Sequence, residues 1–200
     1  MPISSLSRYY SCFLIALLLS IASITEIKAQ PRKGEFIEAS IGLGITGSYS
    51  NVDIGGEGFF IQGEYVYAPK TWFSMRPYLG FITTSGEDEV ESGRDTFVGK
   101  ATTTALLVGG KIRLTAPIPY FAPYLESGFG ASIGKFETKT GGRNIDKSGV
   151  ITHIPFTIGV ALGKRNTVEV EFTYYFMNEV QQFAGAAAVG LSFPINSPKN

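Results

Sequence analysis

The sequence predicts an all-β fold, an eight-stranded antiparallel up-and-down transmembrane β-barrel. Three observations predict it. Beyond the first thirty residues, hydrophobicity alternates with a period of two in eight separate stretches. In each stretch one face is apolar and free of charge, while the other gathers small, aromatic and charged residues. The stretches are joined by short and long links in alternation, as in a barrel with tight turns on one side of a membrane and longer loops on the other.

Composition bounds the reading. The chain has 200 residues, one domain's length. It is 44% hydrophobic and only 17% charged, below the quarter that is usual for a soluble surface. Its 17 basic and 17 acidic residues cancel, so no nucleic-acid partner is expected from bulk electrostatics. The apolar content excludes disorder, and a single Cys excludes a disulfide scaffold or a Cys-based zinc site.

Residues 1–29 read as a secretory signal and residues 30–200 as the barrel domain. Arg8 precedes an apolar run from Phe13 to Ile24, and Ala29 stands before Gln30 as a cleavage point. The densest part of that run is about 12 residues, short of the roughly 20 a spanning helix needs. Cys12 lies before the run, so it is not the acylated Cys of a lipoprotein. Removing Arg8, Glu26 and Lys28 leaves 15 basic and 16 acidic residues and no thiol, which suits an oxidising compartment.

The strands follow by taking every second residue. The first places Ile37, Ala39, Ile41, Leu43 and Ile45 on its apolar face and Glu38, Ser40, Gly42 and Gly44 on the other. The second sets Phe59, Ile61, Gly63, Tyr65 and Tyr67 against Gln62 and Glu64. The third sets Phe73, Met75, Pro77, Leu79 and Phe81 against Ser74, Arg76, Tyr78 and Gly80. The fourth runs from Ala105 to Leu114, with Lys111 and Arg113 on its polar face; the fifth runs from Phe121 to Ile133, with Tyr124 and Glu126 on its polar face. The sixth, His153 to Leu162, turns His153 and Thr157 to the polar side. The seventh, Val168 to Phe176, turns Glu169, Glu171, Thr173 and Tyr175 there, and the eighth runs from Ala187 to Phe193. A water-facing exterior would carry far more charge than the second faces do. They suit the tight interior of a small barrel, with the apolar faces turned to lipid. Backbone in lipid must satisfy every N–H and C=O, so the sheet has to close.

Short links are expected around Pro69-Lys70-Thr71, Thr115 to Ile118 and Lys164-Arg165-Asn166. Long external links are expected from Thr46 to Gly55, Ser85 to Gly99, Glu137 to Gly149 and Asn178 to Gly185. Tyr65, Tyr67, Trp72, Phe73, Tyr120 and Phe121 gather near the short turns, where an aromatic girdle belongs.

Three segments carry a family resemblance. Met75-Arg76-Pro77-Tyr78-Leu79-Gly80-Phe81 and Phe121-Ala122-Pro123-Tyr124-Leu125-Glu126 share a Pro-Tyr-Leu opening after a short turn. His153-Ile154-Pro155-Phe156-Thr157-Ile158-Gly159 is similar to the strand before a turn in the same proteins, and Val189-Gly190-Leu191-Ser192-Phe193 to their terminal strand. Together they resemble the porin-like outer-membrane protein β-barrel family, the small eight-stranded barrels of Gram-negative bacteria. The resemblance implies residence in the outer membrane among lipid and lipopolysaccharide. It also implies recognition of the terminal strand by the barrel assembly machinery.

Candidate chemistry is sparse. Gly42-Leu43-Gly44-Ile45-Thr46-Gly47 matches the dinucleotide fingerprint, but Ser48 to Asp53 reads as a loop where that fingerprint needs a helix. His153 is the only His. Some eight-stranded outer-membrane barrels are lipid A enzymes with a catalytic His and a nearby Ser. A deacylase-like spacing would put Ser two residues after His153, where Pro155 stands, and a lipid A site must open to lipid whereas His153 faces inward, so His153 is expected as a rim or loop-end residue without a catalytic role. The acidic run Glu87-Asp88-Glu89, with Glu91 and Asp95, lacks calcium-loop spacing. Lys139, Arg143 and Lys147 with Asp146 read as ordinary surface charge that can meet lipopolysaccharide phosphates.

The remaining charges form one set on the inner faces: Glu38, Glu64, Arg76, Lys111, Arg113, Glu126, Glu169 and Glu171. Eight strands enclose a space that side chains nearly fill, so this set is expected as a hydrogen-bonded plug, not the lining of a channel. Counting back from Pro69-Lys70-Thr71 sets Glu64 directly opposite Arg76 and predicts an ion pair. The expected function is a non-enzymatic barrel with a structural or surface-interaction role, with no cofactor, metal or catalytic residue. Transport of a small solute or hydrophobic compound is the competing reading, followed by lipid A modification.

Overall fold

The computed structural model describes residues 33–48, 55–92, 95–140, 143–180 and 182–196. The signal segment expected at 1–29, and the boundary at Gln30, lie outside the described residues. Eight antiparallel strands follow in order: β1 (Gly34–Ser48), β2 (Gly55–Lys70), β3 (Phe73–Ser92), β4 (Asp95–Thr115), β5 (Phe121–Thr140), β6 (Arg143–Leu162), β7 (Val168–Met177) and β8 (Gln182–Asn196). Each pairs with its neighbour in sequence, and β8 closes on β1.

The polarity of a soluble protein is reversed. Leu43 is 69% exposed and Phe129 64%, while Glu38 and Glu126 are exposed by 1% and 2%. All eight faces expected to be apolar point outward, and Trp72, Tyr120 and Phe121 stand exposed at the short-turn end. The fingerprint Gly42 to Gly47 lies wholly within β1, so no helix N-terminus exists there to receive a phosphate.

Inside, two layers fill the barrel. Toward the long-link end, Phe60, Ile82, Leu107, Phe136, Ile151, Met177 and Val180 form an apolar cluster. Toward the short turns lie the buried charges. Four inward residues of β8, Ala184, Ala186, Ala188 and Gly190, are small and buried, so this wall yields the space that the larger side chains of the other strands occupy.

The structure corrects the expected links. β3 and β4 stay paired to Ser92 and Asp95, and β5 and β6 to Thr140 and Arg143. The segments expected as loops, Ser85 to Gly99 and Glu137 to Gly149, are therefore mostly strand. A tilted strand crosses the hydrocarbon core in about 9–11 residues, whereas these four have 20 or 21. Beyond the apolar band the two faces no longer meet lipid and a packed core, so alternation stops while the hydrogen-bond ladder continues. Cross-strand polar pairs take over: the Thr83 and Thr104 hydroxyls lie 3.1 Å apart, and Lys100 stands 3.4 Å from Glu87 and 3.5 Å from Glu137. The ladder between β2 and β3 ends at Glu57 and Ser85, and that between β6 and β7 begins only at Ile154 and Phe176. β3 to β6 thus project as a four-stranded sheet past the rest of the barrel. The link expected from Asn178 to Gly185 is a 3-10 turn at Asn178–Val180, after which β8 starts at Gln182.

At the foot of this sheet Lys147 pairs with Glu179, which also accepts from the Thr152 amide at 3.4 Å. The Lys147 ammonium, with the Thr152 amide, holds the Glu179 carboxyl below the usual carboxylate range. Its stabilising contribution is complete above the unfolded-state value and is lost as pH falls through the lowered one. Both side chains are well exposed, so the gain is small and screened by salt. Lys147→Met is expected to leave the urea midpoint almost unchanged at neutral pH, with no difference at all near pH 2. A large loss at neutral pH would mean that this exposed ion pair holds the base of the sheet.

Candidate functional site

The alternation of six strands sends eight charged side chains inward, and the barrel wall brings all eight together. Arg76 on β3 is the hub. Its Nη1 donates to Glu38 Oε2 and Glu64 Oε2, each at 2.7 Å, and it lies 3.5 Å from Glu169 and 3.6 Å from Glu126. Lys111 on β4 places Nζ 2.6 Å from Glu64 Oε1 and 2.5 Å from Glu126 Oε2. Arg113, also on β4, donates through Nε to Glu126 and sets Nη2 2.6 Å from Glu169 Oε2. Every member is at most 4% exposed.

The expected pair of Glu64 and Arg76 therefore exists, but its register is corrected. Glu64 stands opposite Tyr78, not Arg76, because the turn falls at Thr71 and Trp72 and the ladder shifts between Tyr67 and Lys70. Arg76 is the diagonal neighbour two residues away, within reach of a long side chain.

Neutral groups complete the layer. Gln62 Nε2 donates to Glu64 at 2.8 Å, and Tyr175 donates to Gln62 Oε1 at 2.9 Å. The Arg113 guanidinium lies 3.5 Å from the centre of the Tyr124 ring, a cation–π contact. Tyr124 can lie flat there because its neighbour is Gly159: a Cβ at that position would fall 2.4 Å from the ring. A cavity of about 60 Å³ opens at the short-turn end, with Arg76, Arg113 and Glu169 at its inner wall and Asn166 beside it. The eight charged side chains above it are buried against one another, and the arrangement reads as a plug.

The family description "Outer membrane protein beta-barrel domain" matches residues 14–193. The chain belongs to the outer-membrane β-barrel family. It is an outer-membrane protein. Among solved structures it is similar to Neisserial surface protein A at 12% identity, with a TM-score of 0.52 over 82% of this chain and 98% of that one. It is also similar to the outer membrane protein OprG from Pseudomonas aeruginosa, at 12% identity and a TM-score of 0.52, over 84% and 100% of the two chains. Ail, the attachment invasion locus protein of Yersinia pestis, aligns at 15% identity with a TM-score of 0.47 over 80% and 99%. No curated protein matches the chain.

Within this outer-membrane barrel His153 faces inward, as its alternation implied, but the expected rim or loop-end position is corrected: it lies within β6 and is 1% exposed. Its Nε2 lies 2.5 Å from the Tyr78 hydroxyl and its Nδ1 2.7 Å from Ser132 Oγ. A serine does therefore approach the only histidine, from the paired strand β5, where Ser132 stands diagonal to His153. Both ring nitrogens are engaged, and Ser132, His153 and Tyr78 are all sealed from lipid and water. Alternation had already turned Tyr78 and Tyr175 inward; which strand each would meet across the barrel is not encoded in local spacing.

Proposed function

We propose that this outer-membrane barrel is non-enzymatic and acts through its external surface, with an interior closed to solutes. The closure carries this reading. An ion-paired layer and an apolar layer lie in series along the axis, so a solute would have to break both. Eight-stranded barrels are just wide enough for side chains to fill them. The four-stranded sheet of β3 to β6 gives the protein a surface well clear of the lipid headgroups, and its two outer strands lack a ladder partner there among the described residues. The apolar band takes outer-membrane lipid and lipopolysaccharide, and β8 is the strand offered to the assembly machinery.

Against catalysis stands the burial of His153, the one side chain suited to proton transfer near neutral pH. The test is recording from the purified protein in planar bilayers. No discrete current steps are expected at any holding potential. Reproducible unitary conductance would replace this reading with transport. Lipid A whose mass spectrum changes with the gene would replace it with an enzyme.

A further inference from the structure

The short-turn mouth of the barrel holds polar groups that the plug does not use. Lys70 ends β2 at one hairpin, and Arg165 lies in the turn of residues 163–166 between β6 and β7. In a closed ring of eight strands these two hairpins stand on opposite sides, and both side chains line the one cavity there. Neither has an acidic partner among the described residues. Two cations that face each other across a space repel. The only carboxylate in the cavity wall, Glu169, is already taken: it lies 2.6 Å from Arg113 and 3.5 Å from Arg76.

Asn166 lines the same cavity and is only 7% exposed, yet neither of its amide atoms has a hydrogen-bond partner among the described residues. Its φ of 51° accounts for a short polar side chain in this turn, because Asn tolerates the left-handed region. That backbone requirement does not account for burying the amide unpaired, which is costly. On the facing wall, Ser74 Oγ accepts from Arg76 Nε at 3.4 Å, so its own hydrogen is free for the cavity. Unused donors thus converge from several sides on one small space.

We propose that this cup binds one phosphate group. Donors on several sides call for an anion with acceptors on several faces; phosphate presents at least three such oxygens, a carboxylate only two. The cavity of about 60 Å³ is several times the roughly 10–15 Å³ that admits one water, which leaves room for a tetrahedral oxyanion. Arg76 and Arg113 form the floor, but their charge is taken up by carboxylates. The counter-charge comes from Arg165, a planar fork, and Lys70, a point charge. Asn166 Nδ2 adds a donor, and its Oδ1 accepts the P–OH of a monoester or a water. The mouth opens where Trp72, Tyr120 and Phe121 stand exposed, at the level of lipid headgroups. The phosphate is therefore that of a phospholipid headgroup or of a soluble compound on that side of the membrane. It goes no deeper, because the ion-paired layer lies beyond the floor.

The test uses the refolded full chain in non-ionic detergent and a phosphate-free buffer of low ionic strength. One arm is titrated with inorganic phosphate, the other with short-chain phosphatidylglycerol. Calorimetry is expected to show saturable binding of about one molecule per chain in at least one arm, with a thermal midpoint that rises as ligand linkage requires. Saturation by phosphate alone assigns a soluble source, by the lipid alone a headgroup, and by both the phosphate as the shared determinant. Lys70→Gln combined with Arg165→Gln, at two exposed positions, should weaken binding about tenfold or more. Asn166→Asp keeps the size and the turn but sets a negative charge against the ligand, and should abolish binding. Lys164→Gln removes a charge from the same turn that does not line the cavity, and should leave affinity nearly unchanged. Absence of saturable binding in both arms would overturn the proposal. So would binding that the double variant leaves intact, or that Lys164→Gln weakens as much as Arg165→Gln does, since the ligand would then follow rim charge and not this cup.

Discussion

Arg76→Met is expected to lower the unfolding free energy of the barrel by about 3–5 kcal/mol, the cost of leaving buried charge without its partner. No other side chain in the interior touches as many carboxylates: Glu38 and Glu64 at 2.7 Å, Glu169 at 3.5 Å and Glu126 at 3.6 Å. Methionine keeps most of the volume, so the loss reports charge and not packing. The same network makes the effect non-additive. Once Arg76 is gone, Glu64→Gln removes a charge that only Lys111 still compensates, so the second change should cost less than it does alone. Urea unfolding of both single variants and the double variant in detergent micelles or bilayers measures the coupling. Additive losses would show that the two side chains do not meet.

Phe60→Ala should cost a similar amount, about 3–5 kcal/mol, for a different reason. Phe60 is fully buried in the apolar layer, against a wall of backbone that cannot collapse because the barrel is closed on itself. The cavity left behind stays open. Yet this variant should remain electrically silent in planar bilayers, because the ionic layer beneath is untouched. A variant that conducts would show that the apolar layer alone is the seal.

Most of the architecture was legible because lipid and core impose opposite demands on alternate residues. From Ile37 to Phe193 every strand inside the apolar band shows its two faces directly, and all eight inward charges follow from them. Legibility ended where the lipid ends. The segments around Glu87 and Lys139 carry no alternation, yet they remain strands, because a ladder needs only backbone partners. Counting across the hairpin at Lys70 failed for another reason: the turn falls at Thr71 and Trp72 and a one-residue bulge follows, so the partner of Glu64 moves by two in all while both residues keep their faces, and the polarity pattern is blind to it. Tyr78 and His153, or Gln62 and Tyr175, come from strands that do not pair with one another, and their encounter depends on barrel curvature, which no local spacing records.

One pairing differs from the other seven. Seven strand pairs are hairpins, made by residues close in sequence, whereas the seam joins Glu38 to Ser192 and so spans nearly the whole domain. Glu38 sits on one lip of that seam, and Arg76, its partner, is anchored two strands away. Before β8 docks, the interior is open and its charges remain hydrated; docking removes the water and completes the ion pairs in the same event. Closure is then a latch. The loop entropy of the longest connection and the dehydration of the charges fall on a single step, so the reverse step must reopen both at once. A barrel built in this way resists fraying at its seam and leaves the membrane, if at all, as a whole.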